Sequence, residues 1–397
     1  MKTRGFFTSL IAIAILASCQ QESKVGQFVD EAKKENIVSL ETAKDVAFFY
    51  LHKNKNIPNT RSRQADGVKI ESSFSINDEN TDPVMHIINY EGGGFSIISG
   101  DNRIEPMLAY ADEGVFNENP KNYPEGLLSW INHIKSTIGY IRNNNVETPE
   151  ELLNHWKVSE SVGKSRAIPE TSFDCEEGEI MDDYRVNPML STTWHQSDPF
   201  NWNMDIIECN GTLKYQSVGC LPLAISQILK YWEYPTNYNW NNMPNTTATS
   251  ETRRLISDVQ RFYAQYTEIT SDCDGTAAAE FYMDEVLKED FGYQSAIMAN
   301  YDRNCVKREL LYERRPVLFT GDSSDSAHVW IADGIHDWCV CVVDMNGNIG
   351  ANNYLHFHMN WGWGGLYDGW YSCGNFNIPA ENTTYDRNLR IVYNIEP

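Results

Sequence analysis

"SVGCLPLAISQILKYW", residues 217 to 232, sets one cysteine between a glycine and an apolar run of helical period. Leu221, Ile225, Ile228, Leu229 and Trp232 fall on one face, the spacing of a helix that buries one side. Pro222 lies in the first turn, where amides lack intrahelical acceptors, and Pro235 stops the helix. The pattern predicts a helix over 220–232 with Cys220 at its N-terminus. A thiol there has two readings. It fills the helix base as a small apolar residue, or it is a thiolate, since a helix N-terminus and a nearby histidine both lower a thiol's pKa. Gly219 has no side chain to hold a substrate backbone away. Taken alone, these residues favour the packed cysteine.

The C-terminal half changes the balance. "PVLFTG", "AHVWIADGI", "CVCVVDM" and "YLHFHMNW" are strand-like runs joined by turn signals such as "NGN" at 346–348. His328 opens one of them, and "HMNWGWGGLYDGWY" follows some thirty residues later. A cysteine, then a histidine, then an asparagine is the chain order of papain-like peptidases. In that logic His328 takes the thiol proton, Asn360 orients the imidazole and Trp361 shields their hydrogen bond from water. Helices are expected at 220–232, around 251–265 and around 277–290, so this half reads as helices first and an antiparallel sheet after.

The sequence resembles the streptopain-type cysteine peptidases, secreted papain-like bacterial endopeptidases made as inactive precursors. "VGCLPLAISQILKYWEYP" is similar to the family's nucleophile helix, "YNWNNMP" at 238–244 to the segment after it, and "HMNWGWGG" with "DGWY" to its C-terminal signature. "GGGFSIISGDNRIEPMLAYADEG" at 92–114 resembles the family propeptide, which inhibits by packing on the catalytic domain. The resemblance implies Cys220 as nucleophile, His328 as base and later general acid, Gln196 in "TTWHQSDPFN" at the oxyanion hole with the Cys220 backbone amide, and Asn360 and Trp361 as supports of His328. It also implies a preference for an apolar residue two positions before the cut. Two departures stand out: Ala327 where the family has glycine, and "LPL" at 221–223 where it has small residues. Neither removes a catalytic group, so activity with altered substrate preference is expected. His356 and His358 alternate along one strand and are read as packing or hydrogen-bonding residues rather than a metal pair. His195 is read as surface or groove lining.

The N-terminal half reads as a separate α+β unit. "SLETAKDVAFFYLHK" and "YPEGLLSWINHIKSTIGYI" have helical spacing, and "PVMHIINY", "GFSIISG" and "PMLAYAD" read as strands. From about 143 to 188 the chain is polar and acidic, which suits a protease-exposed linker with Lys164 and Arg166 as cleavage candidates. At the start, Lys2 and Arg4 precede "FFTSLIAIAILA", too short for the roughly 20 residues of a membrane-spanning helix. "LASC" resembles a bacterial lipobox, which would make Cys19 the acylated mature N-terminus.

A length of 397 residues with 41% hydrophobic content supports two packed domains. The net charge of -23, without a basic stripe, argues against nucleic-acid partners. Apart from Cys19 and Cys220, Cys175, Cys209, Cys273, Cys305, Cys339, Cys341 and Cys373 form an odd set, so they cannot all pair within the chain. "CVC" at 339–341 reads as strand, without a second pair at zinc spacing.

The expected protein is therefore α+β: a signal peptide (1–18), an N-terminal prodomain and linker (19–168) and a papain-like peptidase domain (169–397). It is expected to be a secreted or lipid-anchored cysteine endopeptidase of the cell envelope acting on proteins or peptides, inhibited by its own prodomain, held to the membrane where Cys19 is acylated or released after maturation, and needing no metal or organic cofactor. The alternatives are a catalytically silent papain-like binding protein, and transpeptidation or deamidation at the same site.

Overall fold

A computed structural model describes residues 36–53, 68–148, 152, 155–156, 180–273, 275–322, 327–343, 349–372 and 389–397. The leader with Cys19, Lys164 and Arg166, Cys175, Cys373 and the 346–348 turn lie outside the described residues. The N-terminal unit runs α1 (Leu40–Lys53), β1 (Ile70–Asn77), β2 (Pro83–Tyr90), β3 (Phe95–Ser99), β4 (Met107–Ala111) and α2 (Glu125–Asn143). Its strands form an antiparallel meander whose side chains alternate between two faces. Ile87, Ile97 and Leu108 meet Leu127, Ile131, Ile134 and Ile138 of α2 on one face, while Ile88, Ile98 and Tyr110 meet Val46, Phe49 and Tyr50 of α1 on the other.

The C-terminal unit contains β5 (Ile180–Val186), the hairpin β6 (Ile206–Cys209) and β7 (Thr212–Tyr215), α3 (Cys220–Trp232), α4 (Ser250–Tyr263) and the hairpin β8 (Ile269–Ser271) and β9 (Thr276–Ala278). Then come β10 (Ser295–Asn300), β11 (Val317–Asp322), β12 (Ala327–Val343), β13 (Ile349–Asn360), β14 (Gly369–Ser372) and β15 (Arg390–Glu396). Helix α3 has the predicted bounds. Leu221, Leu223, Ile225, Ile228 and Leu229 are at most 3% exposed, each such burial contributing about 1.5–3 kcal/mol. At its end Glu233 turns into the left-handed region at φ +48° and its N–H caps the Leu229 and Lys230 carbonyls.

Three expectations are corrected. The expected helix at 277–290 is helical only from Met283, because 276–278 pair with β8 instead. The polar stretch up to 188 holds β5, which pairs with β12 although its own side chains are largely exposed. "AHVWIADGI" and the "CVCVV" of "CVCVVDM" are one strand, β12, whose register shift between Ala332 and Gly334 lets it pass Asp333 without breaking.

The two units share one antiparallel sheet, in the order β1-β2-β3-β4-β14-β13-β12-β11-β15-β10, with β5 also on β12. The junction is β4 on β14, where Tyr110 faces Trp370 and Ala109 faces Tyr371. Helix α2 packs across it, its apolar face sharing one core with Phe319, Trp330, Phe357 and Trp361 of the C-terminal unit.

Candidate active site

Gly219 precedes α3 at φ +88°, a conformation that L side chains rarely adopt. Cys220 follows at the helix N-terminus, half-buried and outside any disulfide. Sequence reasoning leaves the space at Gly219 to substrate, but the β8–β9 hairpin fills part of it: a Cβ built on Gly219 would stand 3.3 Å from Thr276 Cβ and Cγ2. The segment leading to Cys220 runs beside Gln196. The Val218 N–H donates to the Gln196 carbonyl at 2.9 Å, and the Ser217 hydroxyl donates to Gln196 Oε1 at 3.2 Å.

His328 lies near the start of β12, opposite Gly321 of β11. It is 2% exposed, and among the described residues neither ring nitrogen has a hydrogen-bond partner. Burial pushes the imidazole down to about 4; the nearby Trp361 backbone opposes this weakly, without hydrogen-bond geometry. The ring is parallel to Trp330, with centroids 6.0 Å apart.

Asn360, at the end of β13, makes no hydrogen bond to His328 in this arrangement. Its Nδ2 donates to the Thr192 carbonyl at 2.9 Å, and its Oδ1 accepts from Gln227 Nε2 at 3.3 Å and the Gly362 N–H at 3.1 Å. Thr192 Oγ1 donates back to Gln227 Oε1 at 2.8 Å. Asn360 thus joins the nucleophile helix, the segment before Gln196 and the end of β13. Gln227 is the member that sequence reasoning passes over; a polar amide on the buried face of α3 is its signal. Trp361 is 1% exposed, with its ring 5.5 Å from Trp330, and its backbone N–H donates to Asp368 Oδ1 at 2.9 Å. Burial pushes the Asp368 carboxyl up to about 7.

The N-terminal unit closes this site. Gly126, in the first turn of α2, lies so close to His328 that a Cβ built on it would stand 2.2 Å from Cδ2, 3.0 Å from Nε2 and 3.0 Å from Trp361 Cζ3. Trp130, one turn on, packs edge-on against Tyr371, which packs edge-on against Trp361.

The other histidines are engaged elsewhere. His358 Nδ1 meets Asp333 Oδ1 at 2.7 Å; burial alone would lower its pKa, but the carboxylate outweighs burial and raises it. His356 Nε2 meets the Met107 carbonyl at 3.2 Å. His195 is half-buried against Phe200 and bridges backbone to backbone with Trp363. Cys209 and Cys273 form a disulfide, Cys341 is disulfide-bonded, and Cys305 and Cys339 keep their thiols. Among the described residues, no group of three or more His, Cys, Asp or Glu side chains is gathered as a metal site.

Residues 194–237 and 236–371 match the Peptidase C10 family, and residues 35–138 match the Spi protease inhibitor family. The chain is 23% identical to streptopain of Streptococcus pyogenes over 388 residues, covering 86% of each chain. It is 22% identical over 349 residues to the thiol protease/hemagglutinin PrtT of Porphyromonas gingivalis, covering 77% of this chain and 36% of that one. The structure of a Prevotella intermedia prointerpain A fragment superposes with a TM-score of 0.56 at 18% identity, covering 82% of this chain and 99% of the fragment. That likeness shows a shared fold.

Proposed function

The chain belongs to the Peptidase C10 family and is a cysteine peptidase zymogen with an inhibitor prodomain, and on that premise we propose how its residues act. Cys220 is the nucleophile and His328 the base. The thiolate adds to the scissile carbonyl carbon while the carbonyl π pair moves onto oxygen. The Cys220 N–H and Gln196 Nε2 donate to that oxygen, each donor contributing about 3 kcal/mol. Ser217 donates to Oε1, which leaves the Nε2 end of the Gln196 amide for this task. The C–N bond then breaks, the amine leaves with the proton from the His328 imidazolium, and an acyl thioester remains. Water gives a proton to His328 and its oxygen displaces the thiolate, releasing the carboxylic acid.

The observation that carries the reading is Gly126 on His328. A thiolate–imidazolium pair needs a charged imidazole, and here the ring is desolvated, unpartnered and held neutral down to about 4. The prodomain thus silences the site at the histidine, and moving α2 away returns His328 to solvent. Within this reading Trp361 shields the pair, and Asn360 acts through the end of β13 that carries Trp361. Comparing peptide hydrolysis by the full precursor, the processed enzyme and processed Cys220→Ala tests this: only the processed wild type turns over. Hydrolysis undiminished in Cys220→Ala rejects it.

The leader supports export and lipid anchoring at Cys19, with maturation by a cut in the linker near Lys164 to Arg166. Incorporation of labelled fatty acid that is lost in Cys19→Ser, and N-terminal sequencing of the processed form, test these two points.

A further inference from the structure

The disulfide Cys209–Cys273 links two hairpins that flank the segment entering α3. Cys209 ends β6, and β7 runs to Tyr215, two residues before Ser217. Cys273 sits between β8 and β9, and Lys214 Nζ donates to its carbonyl at 2.6 Å. Thr276, the first residue of β9, donates its hydroxyl to the Ser217 carbonyl at 2.7 Å and shares a hydrogen bond with Ser271 Oγ at 3.0 Å. The next peptide N–H, that of Val218, donates to the Gln196 carbonyl, while the Ser217 hydroxyl holds Gln196 Oε1. Thr276 Cβ and Cγ2 also back the left-handed Gly219. The residues around both expected oxyanion donors, the Cys220 N–H and the Gln196 amide, are thereby tied to one hydroxyl.

We propose that Thr276 is a positioning residue for peptide-bond hydrolysis, setting the 217–219 segment and with it the oxyanion donors, and that the Cys209–Cys273 disulfide anchors the hairpin that carries it. The proposal rests on the oxyanion role given above to Gln196 and the Cys220 N–H. A displacement of about 1 Å at such a site costs on the order of 100-fold in rate, so loss of one supporting hydroxyl is expected to cost on the order of 10-fold.

Three readouts on the processed enzyme test it: hydrolysis of a peptide substrate, inhibition by a peptide aldehyde whose tetrahedral adduct places an oxyanion in the site, and alkylation of Cys220 by iodoacetamide, which needs the thiolate but no oxyanion donor. Thr276→Val is expected to lower kcat on the order of 10-fold with KM nearly unchanged, to weaken the aldehyde in the same proportion, and to leave alkylation within about twofold. Thr276→Ser restores the first two. Cys209→Ser combined with Cys273→Ser moves them in the direction of Thr276→Val, and carries the test alone if Thr276→Val does not fold. Wild-type aldehyde affinity in Thr276→Val, or in the paired cysteine variant where that stands alone, overturns the proposal, as does an equal loss of alkylation. Retained turnover in Cys220→Ala would instead overturn the underlying mechanism.

Discussion

Gly126 and His328 meet across the boundary between the two units: a Cβ on Gly126 would stand 2.2 Å from His328 Cδ2. The prodomain residue over the histidine is the one type that fits there without moving the ring or α2. Gly126→Leu in the full-length chain is therefore expected to lift the start of α2 and expose the site. Its uncut precursor should label at Cys220 with a thiol-directed peptide epoxide at least 10-fold faster than the wild-type precursor. Equal slow labelling of both would show that the contact does not hold the site shut.

The two histidine candidates separate by turnover. His328→Ala in the processed enzyme is expected to lose on the order of 10³-fold or more in kcat, the usual cost of removing the partner that activates a nucleophile. His358→Asn should keep most turnover and lose thermal stability, because it removes the pair with Asp333. The reverse pattern would move the base to His358.

The buried histidines near the junction predict a pH dependence of stability with a definite sign. Burial lowers His328 and His155 to about 4, His356 to about 3 with help from His336, and His336 itself. Tyr110, Asp112, Asp183 and Arg185 face His336, and the Met107 carbonyl faces His356. Groups neutral when buried bind protons only in the opened or unfolded chain. Their stabilisation is therefore full above about 6.5 and is lost as pH falls toward 4, by up to ~1.4 kcal/mol per pH unit per group. His358, raised by Asp333, acts in the opposite sense. The thermal midpoint of the Cys220→Ala precursor should fall between pH 7.5 and 5, and less steeply in a His356→Gln variant. A midpoint flat over that range would contradict this.

Tyr110 donates to His336 Nδ1 at 2.6 Å across the β4–β14 junction. Tyr110→Phe leaves that buried nitrogen unsatisfied, a cost of about 1–3 kcal/mol. Isolated prodomain added to processed enzyme should then inhibit roughly 5-fold to 100-fold more weakly than the wild-type prodomain. Unchanged inhibition would remove this bond from the docking interface.

Much of this was legible in residue order. Helix α3 carried its own punctuation in Gly219, Pro222 and Pro235, and β2 was readable as a strand in "PVMHIINY". Less legible were features that depend on distant partners. β5 has no apolar alternation and exists because β12 offers it an edge. "ADG" at 332–334 looks like a break, yet Gly334 keeps the strand running where a Cβ would meet His358 Cβ at 2.9 Å. The Asn360–Gln227–Thr192 network joins residues far apart in the chain, and no local pattern announces it. Gly126 in "PEGLLSW" reads as a helix residue of low propensity until His328 is seen beneath it.

The most direct test labels the thiol itself. A peptide epoxide applied to the precursor, the processed enzyme and processed Cys220→Ala is predicted to mark only the processed wild type, with the adduct on Cys220 by peptide mass mapping. An adduct on another cysteine, or none on active processed enzyme, would contradict the assignment of Cys220 as the nucleophile of a site that the prodomain shuts at its histidine.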